Sequence, residues 1–364
     1  MKIKEITSYL ETIAPSDLQE SYDNAGLIVG NADMEISGVL ISLDCIEEVV
    51  DEAIANNCNL IVAHHPIVFG GLKKINGKNY VERTVIKAIK NDIAIYAIHS
   101  NLDNVYEGVN KRIADKLGLL RTHILSPKPN LLKKLVTFVP VEFAEKVKQA
   151  IFDAGAGHIG NYGECSFAAS GIGSFKASGD AKPFVGEIDK QHQEQELRLE
   201  TIFPTFIQTQ ILAALVKVHP YEEVAYDIYP IENFYEKTGA GLVGELETEM
   251  RPEEFLKHLK NSMDLEIIRF TSLSKNIKRV AVCGGAGSFL LKNAIWQGAD
   301  AFVTADFKYH EFFDAEKKLM IADIGHYESE KFTKELLSEL ILKKFHTFAV
   351  LLSKTNTNPV NYYY

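Results

Sequence analysis

Short apolar runs that stop abruptly at polar, ligand-type residues constrain this chain most. Leu60-Ile61-Val62-Ala63 leads directly into His64-His65-Pro66. A run this short and this apolar reads as a strand buried on both faces. Pro66 has no N–H to give to a ladder, so the strand stops there. The two imidazoles therefore stand at its carboxyl end, the edge at which open α/β sheets hold their ligands. Neighbours on extended backbone point to opposite sides, which suits ligation of two metal ions better than chelation of one. The alternative for the pair alone is ordinary surface or capping histidines.

The surrounding rhythm is regular. Ile3, Ile6, Leu10 and Ile13 mark one buried face of an opening helix. Tyr22 to Gly30 is a polar turn and a short apolar strand. From Gly38 the pattern predicts strand 39–43, helix 46–56, strand 60–63, helix 80–90, strand 93–98 and helix 109–117. Alternation of this kind implies βαβ units and a mainly parallel sheet. The third strand runs into His99-Ser100-Asn101-Leu102-Asp103, which brings Asp103 to the same edge as His64 and His65. Asp103 also reads as an N-cap for the following helix, and His99 as a partner of such a site more than a ligand. The Gly- and Lys-rich segment Phe69 to Lys78 reads as a solvated loop, with steering of an anionic substrate as the sharper alternative.

The pattern breaks at Ser126-Pro127-Lys128-Pro129, a composition that marks a boundary. Residues 128–232 then read as strand, helix and strand twice over, with a polar segment Gln191 to Glu196 before the strand 197–202. That order is a ferredoxin-like α+β module inserted into an α/β core formed by residues 1–127 and 233–364. In the second core segment, strand 279–283 leads into Gly284-Gly285-Ala286-Gly287-Ser288. These glycines resemble a phosphate-cradling turn, with close strand–helix packing as the alternative. Strand 301–304 ends at Asp306, and strand 319–324 runs into Gly325-His326-Tyr327-Glu328-Ser329-Glu330. His326 and Glu330, four apart at a helix start, stack on one face. The alternative is a carboxylate complementing the helix dipole. Taken together, His64, His65, Asp103, His326 and Glu330 all fall at strand ends. Nitrogen and oxygen donors without thiolate suit a pair of Zn²⁺, Mn²⁺, Fe²⁺ or Co²⁺ ions better than one structural zinc.

Composition excludes some classes. The 364 residues carry 39 Lys+Arg against 49 Asp+Glu, and a net charge of −10 argues against wholesale nucleic-acid binding. No apolar run approaches the ~20 residues of a membrane span, and the first residues lack a signal-peptide core. A cytoplasmic location is expected. Cys45, Cys58, Cys165 and Cys283 are scattered without framework spacing and read as reduced, mostly buried residues.

Tyr22-Asp23-Asn24-Ala25-Gly26-Leu27, Ala63-His64-His65-Pro66, His99-Ser100-Asn101-Leu102-Asp103, Gly284 to Ser288, Gly325 to Glu330 and the tail Asn356-Thr357-Asn358-Pro359-Val360 follow one another in an order that resembles the Nif-three-like family. Its members are also described as GTP cyclohydrolase I type 2 homologues. The resemblance spans essentially the whole chain. Tyr22 stands where the family more often has Trp, and Ala305 where it usually has Gly. The resemblance implies that His64, His65, Asp103, His326 and Glu330 hold two divalent ions per subunit, and that the insertion is a PII/CutA-like domain. It also implies a homohexameric toroid with its metal sites facing inward. A dinuclear metal-dependent hydrolase acting on a nucleotide or related small molecule is the expected function. A metal-stabilised, ring-forming regulatory protein with a PII-like sensor is the alternative.

Overall fold

The structure, a computed structural model, describes residues 1–363. Its contacts divide the chain into two units, one joining Met1–Pro127 to the segment from Lys237 onward, the other comprising Lys128–Glu236.

The first unit contains two sheets. One has β1 (Gly26–Val29), β2 (Val39–Ser42), β3 (Leu60–Ala63) and β4 (Ala94–Ala97), completed by a strand from the far end of the chain, Val350–Leu352 (β15). Its order is β1-β4-β3-β2-β15, with β2, β3, β4 and β15 parallel and β1 antiparallel at the edge. Every residue of β2, β3 and β4 is buried, as continuous Val/Ile/Leu/Ala runs require when both faces of a parallel sheet are covered. The second sheet draws on β5 (Leu120–Pro127), β10 (Gly239–Met250), β11 (Arg269–Phe270), β12 (Ile277–Ala286), β13 (Ala301–Ala305) and β14 (Met320–Asp323). Its order is β11-β14-β13-β12-β10-β5, and β12, β13 and β14 are parallel. The parallel strands are thus shared between two sheets and not gathered into one. A single core lies between them: Val39, Val62 and Tyr96 belong to the same buried cluster as Val280, Val303 and Ala322. The helix Ile3–Ile13 buries Ile3, Ile6, Thr7 and Leu10, the face expected from its spacing except that Ile13, in the last turn, is only half-buried.

The second unit contains β6 (Leu132–Pro140), β7 (Ser166–Lys176), β8 (Gln191–Pro204) and β9 (Tyr226–Ile231), with helices Ala144–Asp153 and Gln208–Val218. The antiparallel order β7-β8-β6-β9 is the ferredoxin-like arrangement of two βαβ halves. Leu135, Val139, Val147, Ile151, Leu199, Phe203, Ile211 and Leu215 form its core. Gln191 to Glu196, read from the sequence as a polar segment, is strand: β8 pairs with β7 out to Gln191 opposite Lys176. This end of the hairpin is held by ladder hydrogen bonds with little apolar burial, so it carries no hydrophobic alternation.

Candidate metal centre

The carboxyl ends of the parallel strands carry the polar residues, as expected from strand ends in open sheets. Asp44 follows β2, His64 and His65 follow β3, and His99 to Asp103 follow β4. From the other sheet, Gly284 and Gly285 lie at the end of β12, Asp306 follows β13, and His326–Glu330 forms a single helical turn after β14. The structure brings all five sequence-designated residues together. His65, His326 and Glu330 each offer a ligand atom within 4.8 Å of the others; so do His64, Asp103 and Glu330, and so do His64, His65 and His99. Glu330 is common to the first two groups. Asp103 is the last residue of the turn Ser100–Asp103, and Gly108 precedes the helix Val109–Lys116, so Asp103 does not serve as the N-cap of that helix.

Each imidazole is aimed by a hydrogen bond at Nδ1. His64 donates to the Ile98 carbonyl at 2.8 Å, His65 to Asp44 at 2.7 Å, His99 to Asp23 at 2.8 Å and His326 to Asp306 at 2.6 Å. An acceptor at Nδ1 fixes the ring and turns Nε2 inward as a donor of electrons. Asp23, Asp44 and Asp306 had no assigned role in the sequence reading, although Asp44 and Asp306 obey the same strand-end rule as the histidines.

The electrostatics are those of a buried anion surrounded by imidazoles. Glu330 is 2 % exposed; burial would raise its pKa, but His326, His64 and His65 hold it well below the usual carboxylate range. Burial would lower His65, yet Asp44 and Glu330 raise it to about 10. His326 is likewise raised to about 9 through Glu330 and Asp306. The Nε2 atoms of both rings face Glu330 Oε2, at 3.0 Å from His65 and 3.2 Å from His326, so a cation held between them would compensate its charge. Loss of water and the Glu330 charge push Asp103 up to about 7.

The donor set fits divalent metal. Among the described residues, His64 Nε2 and Asp103 Oδ1 are buried without a hydrogen-bond partner and lie 3.6 Å apart, too far for a hydrogen bond and suited to a shared ion. Cys283 lines the same cavity, but burial and the charges of Asp103 and Glu330 raise its pKa and keep the thiol protonated.

The first two glycines of the turn pack closely against their neighbours. Gly284 N–H donates to Asn110 Oδ1 and Gly285 N–H to Ser329 Oγ, each at 2.9 Å, so neither is free to cradle a phosphate. Gly285 has φ +61°, and a Cβ there would lie 2.5 Å from Glu330 Oε1; only glycine lets the backbone approach the carboxylate this closely.

A cavity of about 900 Å³ opens over the centre, with Tyr22, Phe69, Phe289, Arg269, Tyr327 and Asn358 among its lining residues. The tail contributes directly. Thr357 Oγ1 donates to Asp44 Oδ2 at 2.6 Å, and Asn358 Nδ2 to Glu328 Oε1 at 3.0 Å. No helix among the described residues is long and apolar enough to cross a membrane.

Comparison with known proteins places the chain among relatives of similar length. The chain is 40% identical over 366 residues to the "GTP cyclohydrolase 1 type 2 homolog" of Bacillus subtilis, covering 99% of this chain and 98% of that one. It is also 40% identical over 364 residues to the protein of the same name from Halalkalibacterium halodurans, covering 98% of each. Among solved structures, a Bacillus cereus protein related to NIF3 superposes with a TM-score of 0.88 at 40% identity, over 100% of this chain and 99% of that one. A Staphylococcus aureus protein superposes with a TM-score of 0.78 at 30% identity, again over 100% and 99%. The family model described as Duf34/NIF3 (NGG1p interacting factor 3) matches residues 1–359, and the chain belongs to that family.

Proposed function

We propose that this protein is a dinuclear metal-dependent hydrolase acting on a nucleotide or a related phosphorylated or heterocyclic substrate. The observation that carries the reading is the sharing of Glu330 between the His65–His326 group and the His64–Asp103 group. Glu330 would then be available to two ions, with His64 and Asp103 to hold one and His65 and His326 to hold the other. Such a pair, when bound, supplies Lewis acidity that activates a water near neutral pH and polarises the group under attack.

The chain's own residues do the rest. Asp44 and Asp306 hold the His65 and His326 rings in place, and buried Glu330 keeps its charge because imidazoles surround it. Tyr22, Phe69 and Phe289 offer faces for a heterocycle in the cavity wall. Arg269, anchored to the Phe307 carbonyl at 2.7 Å, gives a fixed guanidinium for an anionic substituent. The names of the relatives favour GTP as the first substrate to test. Assembly as a homohexameric toroid belongs to the same reading, and a monomer in light scattering at micromolar concentration would contradict it.

The test is metal analysis of protein purified without chelator, followed by assays of the metal-loaded chain against GTP, other nucleotides and phosphodiesters. Two Zn, Mn, Fe or Co ions per chain with turnover of at least one substrate is the expected result. Turnover of none, or metal at no more than trace level after loading, overturns the proposal.

A further inference from the structure

The unit Lys128–Glu236 holds a cavity of about 720 Å³ that the metal centre does not use. Phe138, Phe175, Phe184 and Tyr221 line it, and the Phe175 and Phe184 ring centroids lie 6.1 and 6.3 Å from that of Tyr221. Among these rings stands Glu196, only 7 % exposed. Its Oε1 accepts a hydrogen bond from the Tyr221 hydroxyl at 2.8 Å, and among the described residues no Lys, Arg or His is ion-paired with it. Room for the carboxylate comes from Gly173, where a Cβ would lie 2.2 Å from Glu196 Oε2.

The arrangement is built from more than one residue. His219 is buried; its Nε2–H donates to the Phe138 carbonyl at 3.0 Å, and its Nδ1 accepts the Tyr221 N–H at 3.2 Å. Burial lowers the His219 pKa, consistent with the neutral tautomer this pattern needs. His219-Pro220-Tyr221 thus fixes the residue whose hydroxyl holds Glu196. The cations in the lining do not answer the charge. Arg198 Nε is committed to Glu200 Oε1 at 2.9 Å and Lys176 is exposed, while Glu222 and Glu223 add negative charge to the wall.

Glu196 is largely shielded from solvent and receives one hydroxyl donor, which leaves carboxylate acceptor sites open to the N–H groups of a ligand. Aromatic faces attract cations and repel anions, and a cavity of this size suits a small ligand. We infer that this cavity binds a small organic cation, an alkylammonium or guanidinium compound, whose N–H groups donate to Glu196 and whose stem lies against Phe175, Phe184 and Tyr221. The site belongs to the inserted unit and stands apart from the proposed hydrolytic chemistry.

The test is isothermal titration of the full chain with agmatine and n-butylammonium, beside n-butanol as the neutral analogue and GTP as an anion. One saturable cation site per chain is expected, with n-butanol weaker by about tenfold or more. Glu196→Gln keeps an acceptor for Tyr221, so it should retain wild-type metal content and Tm while lowering cation affinity about tenfold or more. Phe184→Ala, at a half-exposed ring, should weaken it by roughly threefold or more. Undiminished binding in Glu196→Gln overturns the inference. So does the absence of saturable cation binding up to about 10 mM, or GTP binding that is lost in Arg198→Ala.

Discussion

Glu330 Oε2 stands 3.0 Å from His65 Nε2, although the two residues are 265 positions apart in the chain. That contact joins the carboxyl edge of one parallel sheet to that of the other. His326, one helical turn before Glu330, lies 3.2 Å from the same oxygen through its Nε2. The centre therefore exists only when both sheets are packed on their common core.

On the dinuclear function proposed above, Glu330→Gln is predicted to lower metal content from two ions per chain toward one or none, because the shared carboxylate would neutralise both ions while each histidine would serve one. A single substitution of His64 or His65 to Ala should tend to leave one ion bound. Metal analysis beside thermal unfolding checks this, with the folded state expected to persist. Two ions retained at wild-type stoichiometry would show that Glu330 is only a helix-start carboxylate.

Asp44→Ala and Asp306→Ala remove the acceptors that aim His65 and His326. Loss of such an orienting partner costs about 10- to 100-fold in metal affinity. Competition with a chelator measures it. Asp306→Asn, which can still accept from Nδ1, should recover part of the loss; affinities equal to wild type in both alanine variants would remove the orienting role.

Gly285→Ala places a methyl group against Glu330 Oε1 at a position with φ +61°. The strained backbone alone costs roughly 1–3 kcal/mol, and displacement of the carboxylate adds a loss of bound metal. Chemical denaturation and metal content should both change. An unaffected metal content would mean that the turn yields without moving Glu330.

The tail carries a pH dependence of its own through Glu52. This carboxylate accepts from Ser353 Oγ at 2.6 Å, Lys354 N–H at 2.7 Å, Thr355 N–H at 3.2 Å and Thr355 Oγ1 at 2.7 Å. Burial would raise its pKa, but these donors win and lower it below its ordinary value. A pKa depressed by folding stabilises fully above the unfolded value, about 4.3, and the contribution fades as pH falls through the lower folded value. The protection factors of the Lys354 and Thr355 amides, taken against their intrinsic exchange rates, should therefore fall below about pH 4. Glu52→Gln should lower them already at pH 7, at a cost of about 1 kcal/mol. Wild-type protection in that variant would place the hold on the tail elsewhere.

The sequence by itself determined the strand–helix rhythm, the ferredoxin-like order of the insertion and the positions of His64, His65, Asp103, His326 and Glu330 at strand ends. These are local matters: a buried parallel strand must be apolar throughout, and the polar residue that ends it marks an edge. Tertiary structure decided that the parallel strands form two sheets, and that the edges meet at Glu330. It recruited Val350–Leu352 beside β2 and assigned Asp23, Asp44 and Asp306 to the imidazoles. It also spent the Gly284 and Gly285 N–H groups on Asn110 and Ser329. An aspartate after a strand reads equally well as a turn residue, and a three-residue strand has too little pattern to be seen. Such roles depend on partners brought close by packing of the common core, and no spacing along the chain encodes that distance.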